Sequence, residues 1–230
     1  MRLHFFKTLL FLSTFIFLIA ACKKQEAVSP TTNTTSDTAT YRLTFTANWT
    51  SNSHPTDYPS NPHFSGLIGM SHNSDVTLYK TGENASEGIK VMAETGGKTP
   101  LTSEINALIQ NKTAFELISG GGVSTGTGNV SVEFKVTKTH SLVSIVSMIA
   151  PSPDWFVGVS GVNLLENDQW VSSKEVSPGT YDSGTDSGTT FTSANQATSP
   201  ATPISIITSA PLAVNGTVAP LGTFKIEKID

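Results

Sequence analysis

Short segments of alternating apolar and polar residues recur along the chain, separated by turns rich in glycine and proline. In the segment 41–49 every second side chain is apolar, which is the period of a strand with one buried face. Those side chains are Tyr41, Leu43, Phe45, Ala47 and Trp49. The segments 130–136 and 222–229 repeat the pattern. In the second of them, the residues expected to point inward are Phe224, Ile226 and Ile229.

The run LVSIVSMI at residues 142–149 is almost entirely apolar and predicts a central strand buried on both faces. Further strands are predicted at 64–70, 75–79, 155–165 and 203–208, and short helices at 85–94 and 101–109. Thr99 or Thr102 is expected to cap the second helix. Loops are expected at 50–63 and 119–129. About seven to nine short strands between such turns predict an all-β fold, an antiparallel β-sandwich with one or two short helices.

The first 21 residues have the features of an export signal. Arg2 and Lys7 are followed by a mostly apolar run to Ala21, which is short for a spanning helix of roughly 20 apolar residues. The sequence Ile-Ala-Ala-Cys at 19–22 resembles the lipobox of bacterial lipoproteins, in which the cysteine thiol carries diacylglycerol. This resemblance implies cleavage before Cys22 and lipidation of Cys22. An ordinary signal peptide with a chance cysteine and a retained membrane anchor are the alternatives.

Cys22 is the only cysteine, so the exported domain is expected to hold no disulfide. Residues 23–40 carry no apolar side chain larger than valine, which predicts that residues 22–40 are the acylated cysteine and a flexible tether. The remaining residues 41–230 suit one β-domain. The chain is thus expected in a bacterial cell envelope, lipid-anchored and at the outer membrane, with the periplasmic or surface face undetermined.

Charge and motifs exclude several classes of function. The net charge is -4, and it becomes -6 when Arg2 and Lys7 are removed, since 12 basic residues then face 18 acidic ones. This balance excludes nucleic acid as a partner, because binding it needs a basic face. The glycine-rich segment 119–129 lacks the phosphate-binding GxxxxGK[ST] pattern. No GxSxG, SxxK or HExxH motif is present, and the chain is therefore not expected to be an enzyme.

Two acidic motifs are candidates for a cation-binding site. Asp154 follows a rigid Pro-Ser-Pro turn, and Asp182 and Asp186 stand four residues apart in a glycine-containing loop. Neither motif contains a lysine or arginine to compensate its charge. Ca²⁺ favours such sites, because it takes about six to eight oxygens from carboxylates, carbonyls and water. Spacing alone also permits a simpler interpretation, in which the Asp-Ser-Gly sequences only form turns.

A longer pattern contains both motifs. The run from His140 to Trp170, with its PSPDWF sequence, and the later YDSGTDSG of residues 181–188 resemble the spondin N-terminal domain of F-spondin/mindin-like matrix proteins and of bacterial secreted proteins. Members of the family have YDAGTDSG, so Ser183 stands in place of an alanine. The resemblance covers roughly residues 41–208.

The resemblance implies a C2-like β-sandwich with a bound Ca²⁺. The family's metal ligands correspond to Asp154, Asp182 and Asp186, with the carbonyl of Ser183 as a weaker candidate. Trp155, Phe156 and Trp170 are expected to pack in the core or at its rim. His72 and His140 are expected to be structural, hydrogen-bonded residues rather than metal ligands.

The expected function is that of a calcium-binding extracellular adhesion or ligand-binding module, displayed as an envelope lipoprotein. Its partners would be the membrane, through the lipid anchor, and a glycan or an extracellular protein. Two alternatives stay open at this point. One is a structural envelope protein without a dedicated ligand, and the other is a calcium-dependent phospholipid binder.

Overall fold

The computed structural model describes residues 36–230; the predictions for the signal peptide, for Cys22 and for the tether up to residue 35 lie outside the described residues. The helices are α1 (Glu87–Thr95) and α2 (Thr99–Gln110). The strands are β1 (Thr38–Asn48), β2 (His63–Phe64), β3 (Ile68–His72), β4 (Ala114–Ser119), β5 (Thr127–Thr137), β6 (Leu142–Ala150), β7 (Trp155–Asn163), β8 (Leu165–Glu166), β9 (Gln169–Trp170), β10 (Ser173–Val176), β11 (Gly179–Asp182), β12 (Ser205–Ile206), β13 (Ala213–Val214), β14 (Thr217–Val218) and β15 (Gly222–Lys228).

The strands form two main antiparallel sheets. The smaller has the order β10-β15-β1-β5, and the larger has the order β12-β11-β7-β6-β3-β4, with β2 paired to β6. Two short hairpins, β8-β9 and β13-β14, lie outside them. The predicted all-β, antiparallel sandwich with short helices is confirmed. The central strand predicted at 142–149 is also confirmed, since β6 lies between β7 and β3.

The main core contains the inner face of β1. All five side chains predicted to point inward from this strand and its end are at most 4% exposed. From β15, Phe224 and Ile226 join the same core, but Ile229 is 41% exposed, so its predicted inward position is wrong. The reason is the period of two: Ile229 stands an odd number of residues after Ile226 and therefore points away from the core.

The two helices cover the other face of the larger sheet and form a second core with it. Its fully buried members include Ile68, Met70, Ile89, Met92, Leu101, Ile105 and Phe156. Both helices lie near their predicted positions. The predicted caps of α2 are wrong, because the cap is Lys98 without a side-chain hydrogen bond and Thr99 is already helical. Pro100 in the first turn starts the helix instead, since its fixed backbone angle suits that position.

Three further expectations are corrected. Residues 75–79 form no strand; the side chain of Asn73 accepts a hydrogen bond from the Asp75 amide at 3.0 Å and turns the chain, and Leu78 and Tyr79 pack against the helices. The folded domain starts before residue 41, because Thr38 already pairs with Thr137. Strands β4, β10 and β11 were not predicted. As a result, Asp182 ends a strand rather than lying in a loop.

The acidic motifs lie at the end of the sandwich opposite the start of the described chain. At the starting end, the indole of Trp170 donates to the carbonyl of Ser36 at 2.8 Å. Strand β1 then runs for 11 residues, about 33 Å, to the opposite end. There Trp49 contacts Phe191, which in turn contacts Trp155, next to Asp154. Within residues 36–230, no helix is long and apolar enough to cross a membrane.

Candidate metal centre

Asp154 is the buried centre of the candidate site. It lies in the tight connection between β6 and β7, where the hydroxyl of Ser152 accepts a hydrogen bond from the amide of Trp155 at 3.1 Å. This turn directs the Asp154 side chain into the protein, and the residue is 0% exposed. A carboxylate so far from water needs partners for both of its oxygens.

Only one of those oxygens has partners within the described residues. Oδ2 of Asp154 accepts from the amides of Thr185 and Asp186 at 2.8 and 3.0 Å, and from the hydroxyl of Ser183 at 3.0 Å. Oδ1 is buried and has no hydrogen-bond partner in residues 36–230. An unpaired buried oxygen of this kind costs free energy, which a bound cation would recover.

Asp182 stands beside Asp154 because strands β7 and β11 are paired. Its Oδ2 accepts from the indole nitrogen of Trp155 at 3.2 Å, and its Oδ1 accepts from the amide of Gly184 at 2.8 Å. Burial raises the pKa of Asp182, and the carboxyl of Asp154 raises it further. The bonds from Gly184 and Trp155 oppose this shift, and Asp186 adds to it. The environment therefore disfavours the negative charge that a cation would stabilise.

Asp186 closes the loop that surrounds Asp154. Its Oδ1 accepts from the amide of Gly188 at 2.7 Å, and its Oδ2 accepts from the amide of Gln196 at 3.0 Å. The bonds to Gly184 and Gly188 are aspartate turns, as the simpler interpretation of the sequence predicted. Gly184 has φ +75°, and a Cβ there would lie 2.1 Å from the carbonyl oxygen of Thr202. Only glycine fits this turn.

The side chains at this site supply part of what a hard cation needs. No ion pair among the described residues compensates any of the three acids. In the same part of the chain, however, no three His, Cys, Asp or Glu side chains converge into a metal-binding group by themselves. A cation bonded to Oδ1 of Asp154 would therefore need carbonyl, hydroxyl or water oxygens as well. Ca²⁺ accepts such mixed oxygen sets.

The profile of one protein family, described as Spondin_N, matches residues 39–215. The chain belongs to the Spondin_N family. The resemblance noted from the two acidic motifs is thus confirmed, and the three aspartates of the candidate site lie within the matched residues.

Curated relatives agree with this membership. Human Spondin-2 is 39% identical over 176 residues, which are 75% of this chain and 53% of Spondin-2. Spondin-1 of Rattus norvegicus is 38% identical over 178 residues, covering 75% of this chain and 22% of the relative. Spondin-1 of Xenopus laevis is 34% identical over 207 residues, covering 84% and 25%. The Spondin_N chain thus spans about half the length of Spondin-2 and about a quarter or less of Spondin-1.

Two small clefts flank the acids of this Spondin_N domain. One, of about 190 Å³, is lined by Trp155 and Asp182 on one side and by residues 205–210 on the other. The second, of about 210 Å³, is lined by Glu94 at the end of α1, by Ser152 and by Asp186. Each cleft places one site carboxylate at an opening toward solvent.

The aromatic and histidine residues singled out from the sequence are structural in the Spondin_N domain. Trp155 and Phe156 are at most 4% exposed, and half-buried Trp170 packs at the rim of the core. His72 is buried between the carbonyl of Asn73 and the hydroxyl of Ser144. His140 bonds to the carbonyl of Lys112 at 3.0 Å. The expectation that these side chains serve packing and hydrogen bonding is confirmed.

Two hydroxyl groups at the site were not predicted from the sequence. Thr185 contributes both its amide and its hydroxyl next to Asp154, and Ser183 contributes its hydroxyl. Their position inside the acidic motif does not distinguish them from ordinary turn residues, so the sequence carries no specific signal for this role. The suggestion that the Ser183 carbonyl binds metal stays a prediction.

Proposed function

We propose that this Spondin_N domain is a calcium-binding extracellular module for adhesion or ligand binding, held to a bacterial envelope by lipid on Cys22. One observation supports calcium binding: within residues 36–230, the buried Oδ1 of Asp154 has no hydrogen-bond partner, and the two carboxylates beside it have no basic partner. The proposed ligands are Asp154, Asp182 and Asp186, completed by backbone or water oxygens. When bound, Ca²⁺ would neutralise these charges and hold the loops together.

The protein's own residues prepare this binding. Backbone amides hold Oδ2 of Asp154, while Trp155 and Gly184 hold Asp182. The cation therefore meets carboxylates whose orientations are already set. Its binding energy would add to the stability of the folded state, since the unfolded chain holds no such site.

The position of the site suits ligand binding. The acids lie at one end of the sandwich, and the described chain begins at the other, where Ser36 is bonded to Trp170. The start of the described chain therefore does not cover the acidic end. In this proposal the acidic end binds an extracellular protein or a glycan, and the lipid on Cys22 holds the chain at the membrane.

Thermal unfolding of the mature chain tests the metal. Calcium should raise the midpoint of the wild type relative to excess chelator, and the variants Asp154→Asn and Asp182→Asn should lose this rise. The matched control is Asp168→Asn, since Asp168 is an exposed acid in the β8-β9 turn, paired with Lys138. A wild type whose midpoint is the same in calcium and in chelator would sink the proposal.

The competing functions give different results in binding assays. A calcium-dependent phospholipid binder would sediment with anionic vesicles in calcium and not in chelator. A structural envelope protein would bind neither vesicles nor any glycan or matrix protein in a calcium-containing screen, and its deletion would weaken the envelope. A calcium-dependent hit among glycans or extracellular proteins, without vesicle binding, supports the proposed module.

A further inference from the structure

The two oxygens of the Asp154 carboxylate have different surroundings. Oδ2 accepts three hydrogen bonds of 3.0 Å or less, whereas buried Oδ1 has no partner within residues 36–230. We infer that the hydroxyls of Ser183 and Thr185 position Asp154 so that Oδ1 alone faces the metal. This inference rests on the proposed calcium site and assigns these two residues a role as positioning residues.

The hydroxyls form a chain with one direction. Ser183 Oγ lies 3.0 Å from Oδ2 of Asp154 and 2.7 Å from Oγ1 of Thr185. A hydroxyl has a single proton, and a carboxylate oxygen only accepts. The shorter contact with Oδ2 makes Ser183 the donor to Asp154. Thr185 then donates to Ser183 at 2.7 Å and lies within a longer 3.4 Å of the same Oδ2. All three residues are at most 5% exposed, so water does not compete for these bonds.

The backbone fixes this chain independently of any ion. The carbonyl of Thr185 accepts from the amide of Thr198 at 2.9 Å, and the carbonyl of Gly184 accepts from the amide of Thr202 at 2.9 Å. These bonds fasten the loop to the segment that follows it. The amides of Thr185 and Asp186 are thereby aimed at Oδ2. Oδ2 of Asp154 therefore has its hydrogen-bond donors in place without a bound cation.

Ser183 supplies a side-chain donor to Oδ2 in addition to the two backbone amides. Without the hydroxyl, Oδ2 keeps its two amide donors but loses the bond that restrains the carboxylate from a third direction. Groups that orient a metal ligand typically change metal affinity by about ten- to a hundredfold when removed. For removal of the Ser183 hydroxyl we expect a loss of calcium affinity at the lower end of this range, about tenfold, because both backbone amides still bind Oδ2.

Calorimetric calcium titration of the mature chain tests the inference with three variants. Ser183→Ala and Thr185→Val should each weaken calcium binding about tenfold. Thr185→Ser keeps the hydroxyl and removes only a methyl group, so its affinity should stay within about twofold of the wild type. Unfolding midpoints in chelator are measured alongside. If Thr185 had only a structural role, Thr185→Ser and Thr185→Val would have similarly lowered midpoints, and their calcium affinities would be equal.

The outcomes separate the two proposals. Wild-type affinity in Ser183→Ala and Thr185→Val would overturn the positioning role while leaving the calcium site in place. Equal losses of affinity in Thr185→Ser and Thr185→Val would overturn it as well. A wild type that binds no calcium would overturn the proposed function, and the inference with it.

Discussion

The indole nitrogen of Trp155 donates a hydrogen bond to Oδ2 of Asp182 at 3.2 Å, and the two residues also pair directly across strands β7 and β11. Trp155 is 4% exposed and packs edge-on against Phe191 in the core. One carboxylate of the candidate site is therefore fixed by a core side chain. The rigidity of the site comes from the sandwich rather than from the loop alone.

Replacing that indole should weaken calcium binding. Trp155→Phe keeps an aromatic ring but removes the donor to Asp182, so we expect calcium affinity to fall by about tenfold or more, the size of one hydrogen bond to a charged group. Trp170→Phe is the matched control, because its indole donates to the carbonyl of Ser36 at the opposite end. Calorimetric titration measures both. Equal affinities for the two variants would contradict the role given to Trp155.

Gly69 marks the closest approach of two central strands. A Cβ at this position would lie 2.1 Å from the carbonyl oxygen of Ser144 and 2.7 Å from the Cα of Ile145, both of which are backbone atoms. Gly69→Ala should therefore lower the free energy of unfolding by at least about 2 kcal/mol, because β3 and β6 must separate. Urea unfolding in chelator measures this change.

Gly121→Ala is the control for that measurement. A Cβ at Gly121 would meet only a methyl group of Val130, at 3.3 Å, which is the end of a side chain that can shift. We expect Gly121→Ala to change the free energy of unfolding by less than about 1 kcal/mol. If the two variants lost similar amounts of unfolding free energy, strand separation at Gly69 would not be the cause of the loss in Gly69→Ala.

His72 should make the fold sensitive to acid. Burial lowers the pKa of His72, an effect that the carbonyls of Asn73 and Val76 oppose and that His140 reinforces. The folded state thus holds the imidazole neutral, with Nδ1 donating to Asn73 and Nε2 accepting from Ser144. This stability is fully present above the unfolded pKa of about 6.5 and is lost as pH falls through the lowered folded value.

The slope of unfolding free energy against pH measures this effect. In chelator, the wild type should lose stability as pH falls below about 6.5, and His72→Gln should lose it less steeply. Burial also lowers the pKa of His54, so the slope is reduced in the variant rather than removed. An unchanged slope in His72→Gln would show that His72 contributes nothing to the acid sensitivity.

Much of the sandwich could be predicted because its signals are local. The alternation at 41–49 and the apolar run at 142–149 need only neighbouring residues to be recognised, and both gave the correct strands. The failures depend on distant contacts. Residues 75–79 have a strand-like composition, but Leu78 and Tyr79 are buried against helices that the sequence pattern does not place beside them.

The candidate site shows the same limit. Asp154 and Asp182 are distant in sequence and become neighbours only because Trp155 and Asp182 pair across β7 and β11. Spacing alone left calcium and simple turns as alternatives, and the aspartate turns at Gly184 and Gly188 are indeed formed. The hydroxyl chain from Thr185 through Ser183 could not be predicted, since any serine or threonine in a turn has the same local pattern.

The most direct test of the calcium site is a crystal structure of the mature protein grown with Ca²⁺, with anomalous scattering used to locate the ion. We predict one ion bonded to Oδ1 of Asp154 at about 2.3–2.6 Å, with Oδ2 still bonded to the amides of Thr185 and Asp186. An Oδ1 of Asp154 that is bonded only to water or to protein donors at saturating calcium would contradict the proposed calcium site.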